Sequence, residues 1–263
     1  MGNTHIDPIS SLGTMGNRLS DRRILVVGAS RGMGRAFAES FAREGADIAL
    51  SARSKDELDE IADMLDGRTL SIQCDVSETS EVNRLVDDVA DEFGRIDAIV
   101  NTVGVLTRGE LTEATDQELE YVVDVNLLGM LRLARAGIPR LIETEGTFIS
   151  VSSEAAERGV PGLSAYSGTK GAVNSLTRQL AIECAPDNVT FNAIAPGTTK
   201  TSMNEEVRRT DPDWEKRRSE TIPLGKLATP ADMTDAAVFL ASDGASHITG
   251  EIIAIDGGST VKL

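Results

Sequence analysis

Tyrosine occurs at only two of the 263 positions, and one of them stands in a spacing that can move a proton. Tyr166-Ser167-Gly168-Thr169-Lys170 lies within a helical pattern, where residues four apart share a face. Phenol and ammonium can therefore point into one site. A free phenol ionises near pH ~10 and is a poor base at neutrality. A nearby cation favours the phenolate, which is what a proton-transferring tyrosine needs. The pair alone fixes no activity, because on most helices such a Tyr and Lys lie side by side on the surface.

A second feature is suited to phosphate. Gly28-Ala29-Ser30-Arg31-Gly32-Met33-Gly34 directly follows the apolar run 24–27 and precedes a helical pattern. Glycines there permit a tight turn and let backbone N–H groups approach a pyrophosphate, while the helix N-terminus adds partial positive charge. A strand before, a helix after and a place in the first βαβ unit point to a dinucleotide. The spacing is G-x-x-x-G-x-G. The next strand end, Leu50-Ser51-Ala52-Arg53-Ser54, has no carboxylate until Asp56. An acid at that point would bond a ribose 2′-OH and repel a 2′-phosphate. Arg53 with Arg31 can instead clamp the phosphate, which favours NADP(H) over NAD(H). Two solvated surface arginines are the plain alternative.

These residues need a scaffold. Short β-branched runs at 24–27, 47–52, 69–74, 97–101, 147–152, 189–194 and 251–255 alternate with helical periodicity at 34–44, 55–65, 80–93, 116–142 and 164–184. Such alternation predicts an α/β fold, a doubly wound parallel sheet of about seven strands of Rossmann type, with its crevice at the carboxyl ends of the strands. The expected organisation is a flexible polar extension over 1–17 and a single domain over 18–263. The less regular stretch 198–228, with Pro212, Trp214 and Pro223, is a candidate substrate lid. Trp214 could close over a substrate or pack on the lid helix.

Composition narrows the function. Acidic side chains outnumber basic ones by 42 to 26, a formal −16, which makes nucleic acid an unsuitable partner. Only six of the basic residues are lysine; the acidic coat suits either a high-salt cytoplasm or an ordinary acidic enzyme. No apolar run is long enough to cross a bilayer, and no apolar signal core opens the chain. Two cysteines, Cys74 and Cys184, are too few for a disulfide framework and read as small core residues. The expectation is a cytoplasmic protein. His5 and His247 belong to no cluster with metal-ligand spacing, so no catalytic metal is expected.

Further motifs sharpen the reading. Asp75-Val76, Asn101-x-x-Gly104, Asn126, Phe148-Ile149-Ser150-Val151-Ser152-Ser153, Pro196-Gly197 and Asp256-Gly257-Gly258 accompany the glycine turn and Tyr166-x-x-x-Lys170 in order. From about Leu19 to the C-terminus the chain resembles the compact single-domain branch of the short-chain dehydrogenase/reductase family, and within it the 3-oxoacyl thioester reductases. The resemblance implies a catalytic tetrad of Asn126, Ser153, Tyr166 and Lys170. Tyr166 would exchange a proton with a carbonyl or hydroxyl oxygen, and Ser153 would hydrogen-bond that oxygen. Lys170 would lower the Tyr166 pKa and hold the nicotinamide ribose; Asn126 would anchor a proton-relaying water. Hydride transfer between nicotinamide and carbonyl carbon is the cofactor's chemistry. Strand alternation puts Ser152 and Ser153 on opposite faces, and the thirteen-residue spacing to Tyr166 favours Ser153.

Cofactor contacts follow by similarity. Gly28, Ser30, Arg31, Gly32, Met33, Gly34 and Arg53 would take the phosphates, with Asp75 and Val76 flanking the adenine. Asn101 and Gly104 would floor the adenosine ribose. Pro196, Gly197, Thr198 and Thr201 would cover the nicotinamide, beside Tyr166 and Lys170. Asp75 and Asn101 could equally cap strand-end turns, and Asp256-Gly257-Gly258 reads as a turn at a subunit contact. Val27 replaces a common Thr, and Thr102-Val103 replaces Asn-Ala; both departures bear on cofactor affinity more than on chemistry. In the family that the chain resembles, such long helices form a dimer contact, so the resemblance implies a homotetramer or homodimer. The implied substrate is a small carbonyl or secondary alcohol, a 3-oxoacyl thioester or alternatively a sugar or other alcohol. Arg132 fits one basic position for docking an acidic carrier, whereas Asp187 occupies the other. A non-catalytic cofactor sensor and a nucleotide-sugar epimerase are the other readings, disfavoured by the intact tetrad and by the glycine spacing respectively.

Overall fold

In the first strand, Ile24 and Val26 face one side and Leu25 and Val27 the other, and all four are buried. Only a sheet covered by helices on both faces can hide both sets. The computed structural model describes residues 17–262; residues 1–16, with His5 and nearly all of the expected extension, lie outside the described residues. In chain order the elements are β1 (Arg23–Val27), α1 (Gly32–Arg43), β2 (Asp47–Ala52), α2 (Lys55–Ala62), β3 (Thr69–Gln73), α3 (Thr79–Phe93), β4 (Ala98–Asn101), α4 (Asp116–Val123), α5 (Gly129–Ile142), β5 (Thr147–Val151), α6 (Ser164–Cys184), β6 (Thr190–Pro196), α7 (Glu205–Thr210), α8 (Trp214–Thr221), α9 (Thr234–Ala241) and β7 (Ile252–Ile255).

The seven strands form one parallel sheet in the order β3-β2-β1-β4-β5-β6-β7. This is the doubly wound arrangement expected. Val27 is in register with Ser51 on one side and Asn101 on the other. Strand order reverses between β1 and β4, so the chains leaving their carboxyl ends part and open a crevice. On one face α1, α2 and α9 pack Phe37, Phe41, Leu58 and Val238 against Ile24, Val26 and Leu50. On the other, α3, α5 and α6 bring Leu85, Leu133 and Val173 against Leu25 and Phe148, which stacks on Phe191 at 5.1 Å.

Two features depart from the regular pattern. Residues 116–142, read as one helical stretch, are α4 and α5 joined by a π turn over Asp124–Leu128. Extra residues in a helical turn are characteristic of functional sites, and Asn126 lies at this one. Residues 198–228 hold the short helices α7 and α8, with Trp214, Ile222 and Leu227 forming a small core of their own beside Val207. Among the described residues no helix is long and apolar enough to cross a membrane.

Candidate active site

The glycine turn sits at the open end of the crevice. Gly28 and Gly32 adopt φ of +90° and +59°, the left-handed region that favours glycine. Arg31, the residue before α1, is extended and gives no side-chain cap, and the first helical turn holds no acidic residue. The first N–H groups of α1 are thus left for an anion, with the helix dipole behind them. These features fit the pyrophosphate of a dinucleotide.

A cleft of about 1090 Å³ runs from this turn past the ends of β4 and β5 to α7 and α8. Gly28, Ser30, Arg31, Gly32, Met33, Gly34, Arg53, Asp75 and Val76 all line it, as do Gly104, Pro196, Gly197, Thr198 and Thr201. Asp75 also caps its own turn, accepting from the N–H and hydroxyl of Ser77 at 2.9 and 2.6 Å. Asn101 does not line the cleft. Its Oδ1 folds back to accept from the Val103 N–H at 3.2 Å, so the floor is made by Thr102, Val103 and Gly104.

Thr102 carries more than bulk. Its hydroxyl donates to the carbonyls of Val27 and Gly28 at 2.9 and 3.2 Å. The tie between neighbouring turns that a hydroxyl at position 27 would make is thus made from the opposite side.

Ser153, Tyr166 and Lys170 meet in the cleft wall. β5 ends at Val151; Ser153 stays extended, and its Oγ accepts from the Ala155 N–H at 3.1 Å while facing the Tyr166 phenol. Ser152 points away, donating to Asn174 Oδ1. Lys170 donates to the Val151 carbonyl at 2.7 Å, with its Nζ 5.9 Å from the Tyr166 ring centre. Asn126 stands behind the wall: its Oδ1 accepts from the Val105 N–H at 2.7 Å, and its Nδ2 donates to the Val105 carbonyl and to Thr169. The Asn126 side chain therefore pins the β4 loop to α6 and is not itself in the cleft.

The electrostatics of the wall are set largely by burial. Burial pushes the Tyr166 phenol above its ordinary pKa, and Ser153 and then Arg108 oppose that rise while Glu154 adds to it. Arg108 is thus a cation that favours the phenolate, while the Lys170 ammonium, beside the same ring, donates to the Val151 carbonyl. Burial also pulls Lys170 down from 10.5 to about 8. Between those values the unfolded chain binds more protons, so this group's contribution to stability rises with pH and its cost is complete below about 8. The difference is worth about 3 kcal/mol. Lys170→Met should therefore exceed the ligand-free wild type in stability most below pH 8, with the gap narrowing towards pH 10.5. Denaturant titrations of both proteins across this range read it, and a pH-independent gap would contradict the burial argument.

Among the cleft residues that escaped sequence reasoning are Arg108, Glu154 and Arg218. Glu154 had a local signal, a carboxylate directly after the strand-end serines with Arg158 four residues on. It is held by Arg158 at 3.0 Å and by the Thr198 hydroxyl at 3.1 Å. Arg108 and Arg218 had none. Arg132, expected at a carrier-docking position, pairs with Asp124 at 2.8 Å and donates to the Val76 carbonyl, so it is committed within the fold. Cys74 and Cys184 are free and buried, and burial pushes the Cys74 thiol up to about 12. Among the described residues no three His, Cys, Asp or Glu side chains gather as a metal site.

Known proteins share this architecture. The family model described as enoyl-(acyl carrier protein) reductase matches residues 28–260. Oxidoreductase UcpA of Salmonella typhimurium is 35% identical over 254 residues, covering 93% of this chain and 96% of that protein. The crystal structure of a short-chain type dehydrogenase/reductase from Mycobacterium marinum superposes with a TM-score of 0.87 at 31% identity, covering 94% of this chain and 98% of that one. A 3-ketoacyl-(acyl-carrier-protein) reductase from Brucella melitensis, solved with NADH, gives a TM-score of 0.85 at 30% identity, over 92% and 99%. The chain is an NAD(P)-dependent oxidoreductase, and it belongs to the short-chain dehydrogenase/reductase family.

Proposed function

We propose that this enzyme uses NADP(H) to interconvert a small carbonyl compound and its secondary alcohol. The observation that carries the reading is the convergence of Ser153, Tyr166 and Lys170 on one wall of a cleft that begins at the uncapped N-terminus of α1. The nicotinamide, when bound, supplies or takes the hydride. The glycine turn and Arg31 would hold the phosphates, Asp75 and Val76 would flank the adenine, and Thr198 and Thr201 would meet the nicotinamide. Lys170 would hold the ribose. Ser153 donates to the substrate oxygen and keeps it beside the phenol, where Tyr166 gives or takes the proton. Asn126 holds the Val105 backbone against α6 and so positions Lys170 and the floor of the site. A proton-relaying water at this turn is part of the same proposal.

The preference for NADP(H) rests on Arg31 and Arg53, which line the cleft and are exposed, at a strand end without a carboxylate. Charge-assisted hydrogen bonds contribute about 1.5–3 kcal/mol each. Replacing both arginines by Ala should lower kcat/KM for NADPH by roughly 100-fold or more, with far less effect on NADH. Steady-state kinetics with each cofactor measures this, and an equal loss for both would reject the clamp.

Turnover itself is tested by following NADPH oxidation with acetoacetyl-CoA and with a set of free ketones and sugars. NADPH binding without turnover of any of them would favour a sensor. Arg132 is committed to Asp124 and the molecule carries −16, which supports a free small molecule over a thioester on an acidic carrier. We further propose a homotetramer or homodimer through α4, α5 and α6, which expose Val123, Leu131 and Ile182.

A further inference from the structure

We propose that the substrate carries an oxyanion, a carboxylate above all, and that Arg108 and Arg218 recognise it. This rests on the oxidoreductase reading and names the class of carbonyl compound that the site would take.

Arg108 stands in the loop after β4 and Arg218 on α8 of the lid, and both line the cleft that holds Tyr166. The charges that act on Arg108 are Arg218 and the Tyr166 phenol. The two guanidiniums thus share the cleft that Tyr166 lines, and each feels the other's charge. Neither has a carboxylate partner among the described residues. Arg218 lies over the Trp214 ring, 5.9 Å from its centre, and Arg108 makes no hydrogen bond or ion pair.

This absence is informative in a chain with 42 acidic residues. Glu154, the carboxylate that acts on the same phenol, is already taken by Arg158 and the Thr198 hydroxyl. Like charges held together in a partly desolvated wall repel, and that cost is relieved by a ligand of opposite sign. A guanidinium matches the planar fork of a carboxylate and can bind it with two parallel hydrogen bonds. One arginine comes from the exposed loop after β4 and the other from α8, so an anion between them would also draw α8 to that loop. A carbonyl group held at Ser153 and Tyr166 then places its charged end towards the two arginines. A 3-oxo acid, with its carboxylate separated from the carbonyl by one carbon, is a small compound of this kind.

Trp214 is the single tryptophan of the chain and packs against Arg218, so its fluorescence reports binding without requiring turnover. The probes are acetoacetate and longer 3-oxo acids, each beside its methyl ester, with acetonylphosphonate as a doubly charged arm, all with NADPH present. The acids should quench Trp214 and react with kcat/KM at least tenfold above their esters. Arg108→Met and Arg218→Met should each bring that acid-to-ester ratio towards one. Acetonylphosphonate binding more tightly than acetoacetate would identify the oxyanion as a phosphonate or phosphate.

Quenching by the acids without reduction would uphold anion recognition and count against the oxidoreductase reading. Esters handled as well as acids, no quenching by any anion, or an acid-to-ester ratio unchanged in both variants would overturn the proposal. Arg108→Lys and Arg218→Lys separate charge from loss of fold, because each keeps the cation and should retain part of the preference.

Discussion

Tyr166→Phe should lower kcat by about a thousandfold while leaving NADPH affinity within about threefold of wild type. The variant keeps the ring, which is buried among Ala155 and Leu163 and flanked by Leu106 and Val160, so packing of the wall is retained. What it removes is the phenol oxygen proposed to exchange a proton with the substrate. Positioned general acids and bases contribute roughly 10²–10⁴ in rate. No substitute is at hand: the Ser153 hydroxyl can hydrogen-bond the substrate oxygen but is too weak an acid to give up its proton, Lys170 is turned to the Val151 carbonyl, and Arg108 does not give up its proton in this pH range. The measurements are steady-state kinetics on whichever ketone the wild type reduces and a fluorescence titration of NADPH. A variant that keeps a tenth or more of the wild-type rate would remove the phenol from the mechanism. Loss of NADPH binding would instead assign Tyr166 a mainly structural role.

The fold was legible because its determinants are local and repeated. Each central strand is apolar on both faces, as at Ile24 to Val27, and a helical pattern follows it, so the alternation appears in the sequence before any contact is known. The glycine turn was legible for the same reason, since Gly28, Gly32 and Gly34 act on backbone within seven residues. Helices α7 and α8 were not. Trp214–Thr221 has charged or polar residues on every side and one buried residue, so there is no apolar stripe to read. The π turn was hidden because no local pattern marks it, and the partner that Asn126 bonds from it, Val105, lies 21 residues away.

The site divides along the same line. Tyr166 and Lys170 are near in sequence and share a helix, which made them visible. Arg108 becomes important only when the loop after β4 is brought against α6 and α8, a relation that no local pattern encodes. Asn101 and Thr102 show the converse. Their motif was recognisable, yet one folds back on its own turn and the other supplies a hydroxyl that Val27 lacks. A departure from pattern at position 27 is thus compensated 75 residues away, where only the fold brings the two together.

Gly34→Ala should disable cofactor binding and destabilise the domain together, because one added carbon strikes the turn and its support. Gly34 lies in the first turn of α1, where a Cβ would stand 2.2 Å from the Gly28 carbonyl oxygen and 2.6 Å from the Thr102 hydroxyl. Neither neighbour yields freely. The first is backbone of the phosphate turn, and the second is held by its bonds to Val27 and Gly28. Helix α1 must therefore move away from β1, drawing its N–H groups from the pyrophosphate position and loosening Phe37 and Phe41 from the sheet. Overpacking of this kind costs about 3 kcal/mol, which for a domain of this size lowers Tm by roughly 6–12 °C. NADPH affinity should fall by at least tenfold beyond what the loss of folded protein explains, since the displaced N–H groups are the ligand's own partners. Calorimetric melting and NADPH titration of the folded fraction separate the two effects. An Ala variant with wild-type Tm and affinity would mean that α1 does not need this close approach, and the assignment of the turn to phosphate would fall with it.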